Sequence, residues 1–384
     1  MKYDIGIIGG AGHIGFPLAL AFASKKSKIL IIDIDKKNIE KINKNIAPFK
    51  EENSKYYINK YNKYYKATIN NDELKDCKYL IICVGNALNK HGIVDQNSFV
   101  KNIKTILKKC SSKQIIVIRS SVMPGTMKLI KEYFPTLNFA YCPERILQGK
   151  SLSEIFRLPQ IISAFDKKIE KKVSMIFNKI SKKIILNTID EAELIKLFSN
   201  AYRYSLFAIS NTFFQISLKN NLNFNNILKS MKDNYPRNFN IPSAGFAAGP
   251  CLEKDTLQIE KVFKADFKIG RSAFEVNHFM PNEIIKYLKK NYNLKNMNVG
   301  ILGTAFKGNI DDERDSLSID LSKKIKKYCK CLFLSDYFVN NKNYISTNAL
   351  IKNCDIIIIG APHKKYIKLK ISPRKFVLDM WGIL

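Results

Sequence analysis

The sequence predicts an α/β protein with two doubly wound, Rossmann-like parallel-sheet domains. A long central helix and a helical middle region join them. Three observations carry this. Short buried runs such as IGII, LII and IIVI alternate with lysine-rich helical stretches in the first half, the pattern of strands covered on both faces. From Glu191, apolar residues recur at helical spacing through EAELIKLFSNAYRYSLFAISNTFFQISLK for about eight turns. Then NMNVGILGTAF opens a second strand-and-helix series. The predicted division is 1–190, 191–290 and 291–384, and a chain of 384 residues suits two or three domains.

In order, YDIGIIGG reads as a buried strand feeding a helix from about Ile14 to Ser24, and KILIIDID reads as the second strand. KYLIICVG, QIIVIRSS and LNFAYCPE supply further strands. The middle region stays helical to about Leu288, broken by a loop, NFNIPSAGFAAGPCLEKD. KCLFLSDY, CDIIIIGAP and KFVLDMWG supply the later strands of the second series.

Composition excludes several classes. No apolar run is long enough to span a membrane, and the N-terminus lacks the features of a signal peptide, so a cytoplasmic protein is expected. The eight cysteines include no C-x-x-C pair, which argues against a zinc or redox site, and no metal is expected. Cys329 and Cys331 would share a strand face and pack there, and Cys83 and Cys354 read as buried residues of apolar strands. The net charge of +31 is mostly lysine spread along the chain. It reads as solvated helix faces that would attract an anionic ligand, and no nucleic-acid-binding motif accompanies it.

Gly10-Ala11-Gly12-His13-Ile14-Gly15 is a G-x-G-x-x-G between strand and helix. The first glycine allows the tight turn, the second admits a pyrophosphate, and the third lets helix pack on strand. Free N–H groups of the helix start then face the phosphates. Asp33 ends the next strand, where a carboxylate suits the adenosine ribose hydroxyls and repels a 2′-phosphate, which favours NAD. His13 reads as a spacer in this loop, and Asp35 is less well placed for the ribose.

The glycine loop with Pro17, IICVG, IRSSVMPGT, CPERILQGK, EAELIKLFSNAYR, GPCLEKD, VNHFMP and GTAFKGNIDDERDS follow one another in an order that resembles the UDP-glucose/GDP-mannose dehydrogenase family across nearly the whole chain. CPERILQGK is most similar to the branch acting on UDP-N-acetylhexosamines, so UDP-N-acetylmannosamine or UDP-N-acetylglucosamine is the expected substrate. The resemblance implies NAD-dependent four-electron oxidation of a nucleotide sugar's C6 hydroxyl to the carboxylate.

Such chemistry needs a thiol, because a bare aldehyde cannot release a second hydride and a thiohemiacetal can. By resemblance Cys251 is that nucleophile, Asp255 its partner toward water, and Lys196 and Asn200 the oxyanion donors. The last two lie four apart on one helix face. Glu144 resembles the family's general acid–base or water-positioning carboxylate, and Ser121 stands where the family usually has threonine. Val84, Gly85 and Arg314 join the glycine loop in cofactor binding, Arg314 through the pyrophosphate. Arg145, Phe246, Lys254 and Lys307 join Glu144, Lys196 and Asn200 around the substrate. Asn277 is expected to order backbone near the domain junction.

Several positions depart from the family pattern. Asn86-Ala87 replaces Thr-Pro, Ala247-Ala248 replaces Gly-Gly, Pro250 stands where the acetylhexosamine branch often has His, Gln148 stands where the UDP-glucose branch often has Glu, and PQIISA lacks the usual Arg and Gly-Gly. A homodimer through the long helix is expected. Two other readings compete. One is a one-step 3-hydroxyacid or 6-phosphogluconate-type dehydrogenase, which needs neither the cysteine nor a second α/β unit. The other is a basic dinucleotide-fold binding protein without catalysis.

Overall fold

A computed structural model describes residues 1–85 and 96–384. The Asn86-Ala87 departure lies outside the described residues. The chain forms two compact units, Met1–Phe198 and Ser199–Leu384.

The first unit is built on β1 (Tyr3–Ile8), β2 (Ile29–Ile32), β3 (Tyr65–Thr68), β4 (Cys77–Ile82), β5 (Ile115–Ile118), β6 (Asn138–Tyr141), β7 (Gln160–Ala164) and β8 (Ile184–Leu186). Their spatial order is β3-β2-β1-β4-β5-β6-β7-β8. The first six follow the doubly wound dinucleotide-binding order. Residues alternate between two cores. Ile29 and Ile31 of β2 pack on one side with Ile5, Ile7, Phe16 and Val117. Leu30 and Ile32 pack on the other with Leu80, Ile82 and Ile116. Strand order reverses between β1 and β4, so the glycine loop leaves β1 at the crevice where ligands of such sheets bind.

Three strands were not legible in the sequence. YKAT of β3 is short and only partly buried. The segment PQIISA contains all of β7, which runs antiparallel to β6, so the sheet is not wholly parallel; β8 then pairs parallel with β7.

The second unit carries β9 (Asn298–Leu302), β10 (Cys331–Ser335), β11 (Ile356–Ile359) and β12 (Phe376–Leu378), all parallel in the order β10-β9-β11-β12. Val299, Ile301, Ile356 and Ile358 face one core, while Leu302, Ile357 and Ile359 face another. The loop after β9, which carries Lys307, again leaves the sheet at its point of reversal.

The long helix runs from Ile189 to Lys219. Several local expectations need correction. LEKD is not loop, because the helix Leu252–Phe263 begins directly after Cys251. Cys331 opens β10 and is exposed, while Cys329 lies before the strand, so the two do not pack on a shared face. Cys354 is buried as expected, but caps the helix Thr347–Asn353 rather than lying within a strand. Cys83 likewise lies just after β4 and is only partly buried, so it is not the buried strand residue expected.

Candidate active site

The glycine loop is built for close approach. A Cβ at Gly15 would collide with the Gly9 carbonyl and lie 2.6 Å from the Gly10 Cα, so only glycine lets this helix pack on the turn. A Cβ at Gly12 would meet only the Gly9 oxygen, at 3.4 Å, leaving room for a phosphate beside the backbone. Asp33 follows β2 and is half-buried. Its Oδ2 accepts the Ala11 N–H at 2.9 Å, and its Oδ1 accepts the Asp35 N–H at 3.0 Å. The carboxylate thus braces the loop and keeps a second lone pair on each oxygen for ribose hydroxyls. Asp35 instead caps the next helix through the Asn38 N–H. These residues fit a dinucleotide. His13 stacks on Phe49, with ring centroids 3.9 Å apart, and its Nε2 lies 3.5 Å from the Gln148 amide; Ile14 caps the helix start. Val84 and Gly85 follow β4, and a Cβ on Gly85 would meet nothing. Val84 O accepts from the Ser120 hydroxyl at 2.6 Å, and Ser121 follows.

Glu144 is less available than its assigned role requires. Its Oε2 pairs with the Arg119 guanidinium, and its Oε1 accepts the backbone N–H groups of Arg145 (2.7 Å) and Ile146 (3.0 Å). The side chain is buried and each oxygen already has a donor. In this structure Glu144 organises the turn that carries Arg145, whose Nη2 donates to Pro159 O at 2.9 Å. Sequence reasoning missed Arg119. It is fully buried and also donates to Gln160 Oε1 at 2.9 Å and to Cys142 O at 3.2 Å. Its signal was an arginine closing the apolar run IIVI.

Lys196 is half-buried on the long helix, one turn before Asn200. In the second unit, Asn200 Nδ2 donates to Asp255 Oδ2 at 2.6 Å, with both residues buried. Asp255 lies in the first turn after Cys251, and its N–H donates to Cys251 O at 2.9 Å. Cys251 itself is exposed at the start of the helix Leu252–Phe263, where unpaired N–H groups can face a developing negative charge. Thiol, carboxylate and carboxamide are therefore joined by one helical turn and one hydrogen bond. Lys254 is half-buried in the same turn.

The preceding loop is locked onto the C-terminal module. Gly249 has φ +90, and a Cβ there would run into the Phe306 ring. Its N–H donates to Asp315 O at 3.2 Å. This brings the GTAFKGNIDDERDS loop, with half-buried Lys307 and exposed Arg314, against the cysteine loop. The Cys251 side chain adds to the forces holding Arg314 charged, after its hydrogen bond to Asp312. Arg314 directs Nε and Nη2 onto Asp312, Nη2 at 2.6 Å. A pyrophosphate contact would therefore use the opposite edge. Phe246 departs from expectation. Its ring is buried with Ala244 and Met280 in the second unit's core, so it packs the loop from beneath. Asn277 orders backbone, as expected for its type, through Tyr204 O at 2.9 Å, and its Oδ1 accepts from Asn211 at 2.8 Å.

Two further residues were missed. Asp336 closes β10 as Asp33 closes β2, but it is fully buried. Its Oδ2 accepts from the N–H groups of Thr304 (2.8 Å) and Ala305 (3.1 Å) and from His363 Nε2 (2.9 Å). His363 Nδ1 accepts the Asn309 N–H at 2.8 Å. Burial pushes the Asp336 carboxyl up, but His363 and the backbone donors outweigh it and hold it at about 2. The acid at this position of the second sheet is an internal strut for the Lys307 loop. Among the described residues no group of His, Cys, Asp and Glu could hold a metal, and no helix is long and apolar enough to cross a membrane.

Comparison with known proteins agrees with this arrangement. Residues 3–181 match the NAD binding domain of the UDP-glucose/GDP-mannose dehydrogenase family, residues 190–278 its central domain, and residues 300–384 its UDP binding domain. Among curated relatives, a UDP-N-acetyl-D-mannosamine dehydrogenase of Methanocaldococcus jannaschii is 28% identical, covering 98% of this chain and 91% of that protein. A UDP-glucose 6-dehydrogenase of Campylobacter jejuni is 27% identical, covering 92% and 91%. The solved structure of a UDP-D-ManNAc dehydrogenase from Pyrococcus horikoshii shares the fold, with a TM-score of 0.89 at 24% identity over 99% of this chain and 96% of that one. With all three domains matched in order and the glycine loop, the cysteine turn and the C-terminal loop in place, the chain belongs to the UDP-glucose/GDP-mannose dehydrogenase family.

Proposed function

We propose that the protein is an NAD-dependent nucleotide-sugar 6-dehydrogenase that oxidises the C6 hydroxyl of a UDP-N-acetylhexosamine to the carboxylate through a Cys251 thioester. The observation that carries it is the exposed Cys251 one helical turn from the Asn200–Asp255 pair. CPERILQGK supports the acetylhexosamine, with UDP-glucose as the competing substrate. The three functional regions are 1–190 for the cofactor, 191–290 for the catalytic helices and 291–384 for the UDP moiety.

NAD⁺, when bound, would supply the hydride acceptor for both oxidations, and the C6 hydroxyl proton would leave through ordered water. The glycine loop and Asp33 hold the dinucleotide, and Ser121 orders water near the nicotinamide. The Cys251 sulfur adds to the aldehyde carbon, forming the C–S bond of a thiohemiacetal. Lys196 and the second amide hydrogen of Asn200 stabilise the oxyanion. Loss of the second hydride leaves the thioester. Asp255 takes a proton from water as it adds, the C–S bond breaks, and the thiol and carboxylate are released. Arg145, Lys254 and Lys307 supply positive charge for the anionic substrate.

The test is NADH release from UDP-glucose, UDP-N-acetylglucosamine, UDP-N-acetylmannosamine and GDP-mannose. Two NADH per sugar are expected with a UDP-N-acetylhexosamine. One NADH per substrate would replace this reading with the simple alcohol route.

A cytoplasmic homodimer completes the proposal. Phe198, Tyr202, Ile209, Phe213 and Ile216 of the long helix are exposed at helical spacings of about three, four and seven residues. That is an apolar stripe of the kind that pairs with its own copy.

A further inference from the structure

The buried carboxylate of Glu193 belongs to no step of this chemistry, yet it joins two of its parts. It lies in the second turn of the long helix and is fully buried. Its Oε2 accepts the Gly125 N–H at 2.6 Å, and its Oε1 accepts the Met127 N–H at 2.8 Å. Those donors belong to the start of the helix Thr126–Tyr133, whose own cap residue, Gly125, sits at φ 85 and offers no side chain. Helix starts need acceptors for their unpaired N–H groups. Here the acceptor comes from 68 residues along the chain.

The clamp touches functional segments on both sides. The capped helix continues directly from RSSVMPGT, the segment bearing Ser121. Glu193 lies three residues before Lys196, so the two share one helix face. Fixing Glu193 fixes both the rotation and the axial position at which that face is presented. Displacements of about 1 Å in such a face cost about a hundredfold in rate.

We propose that Glu193 is a positioning residue for the oxidation, its ionised carboxylate setting the register of the Lys196 face against the Ser121 segment.

The ionised form is needed because both of its oxygens must accept. A neutral carboxyl turns one oxygen into an O–H that faces an N–H donor. Burial pushes this carboxyl up to about 6, the two N–H bonds pull against that, nearby Asp190 pushes it further up and Lys128 pulls it down. Asp190 and Lys128 also pair across the same junction at 2.7 Å, on its exposed side. Linkage gives the sign. A raised folded-state value means that protonation favours the folded chain, so acid loosens the clamp without unfolding the protein.

The proposal rests on the dehydrogenase reading for its kinetic arm only. The first measurement is the pH dependence of kcat for the full-length enzyme and for Glu193→Gln, the neutral isostere. The wild type should lose kcat on the acid side with an apparent pKa near 6. The Gln variant should lie at least tenfold below wild type at pH 8, with no limb near 6 and an NAD⁺ KM within about twofold of wild type. A Gln variant with wild-type kcat at pH 8, or with the acid limb intact, overturns the proposal. The second measurement is hydrogen exchange at pH 7.5, which needs no turnover. Peptides spanning 123–130 should exchange at least tenfold faster in Glu193→Gln while the β1 and β4 peptides stay unchanged. Equal protection at 123–130 overturns the clamp whatever the substrate proves to be.

Discussion

Removing Asn200 should expose how much the active-site carboxylate depends on it. Asp255 is 1% exposed, and among the described residues its Oδ1 has no hydrogen-bond partner, so the 2.6 Å bond from Asn200 Nδ2 is the side-chain contact that offsets its burial. A hydrogen bond to a charged group contributes about 1.5–3 kcal/mol, and stranding the buried group adds its desolvation cost. Asn200→Ala should therefore destabilise the second unit by about 2–3 kcal/mol. At about 2–4 °C per kcal/mol for a unit of this size, its melting temperature should fall by about 5–10 °C. In an Asp255→Leu background no charge remains to be stranded, and the same Asn200→Ala change should cost less than about 0.5 kcal/mol. Thermal unfolding of the four proteins at pH 7 gives the coupling directly. We expect about 2 kcal/mol. A coupling near zero, or an Asn200→Ala variant that melts with the wild type, would refute the reasoning. Turnover should fall in parallel, by about a hundredfold or more, because the second amide hydrogen is the proposed oxyanion donor.

Three other outcomes follow from the same geometry. Asp33→Ala removes the brace on Ala11 and should raise the NAD⁺ KM and soften discrimination against NADP⁺; equal wild-type efficiency with both cofactors would contradict the ribose assignment. Asp336→Asn should cost about 2 kcal/mol at pH 7, because a carboxyl held at about 2 rather than 3.8 stabilises the fold above the ordinary value. That stability is lost as pH falls through the folded value, so the gap to wild type should close between pH 4 and pH 2 in denaturant titrations. Light scattering at micromolar concentration should give twice the 44.1 kDa chain mass; a monomer would remove the role proposed for the long helix's apolar stripe.

The parts of this protein that were legible in its sequence are those written locally. β2 could be read because four consecutive apolar residues fill both faces of a parallel strand, and the glycine loop because each glycine answers a steric demand within six residues. The long helix declared itself through periodicity alone. What could not be read depends on partners far along the chain. The antiparallel β7 is set by its pairing with β6, since QIISA carries no orientation of its own. Glu193 looks like any acidic residue near a helix start until the Gly125 and Met127 N–H groups are found facing it. Glu144 invited a proton-transfer role by resemblance, and only the structure reveals Arg119 and two backbone donors already on it. Phe246 stood in a loop of small residues that suggested ligand contact, yet its ring is core. Cys251 was legible as the candidate nucleophile only through the motif around it. Its place at a helix start, exposed and one turn from Asp255, supplies the physical reason.

Cys251→Ser tests the central claim most directly. Serine preserves size, so UDP-sugar binding should survive, but its hydroxyl is a far weaker nucleophile and its ester a poorer leaving group. With the preferred UDP-sugar and NAD⁺, kcat should fall about a thousandfold or more, a rise of about 4 kcal/mol in the barrier. Intact-mass measurement should then find a trapped sugar adduct on the protein or slowly released aldehyde. A Ser variant that keeps near wild-type turnover and still yields two NADH per sugar would contradict the account, because Cys251 could not then be the residue that carries the intermediate.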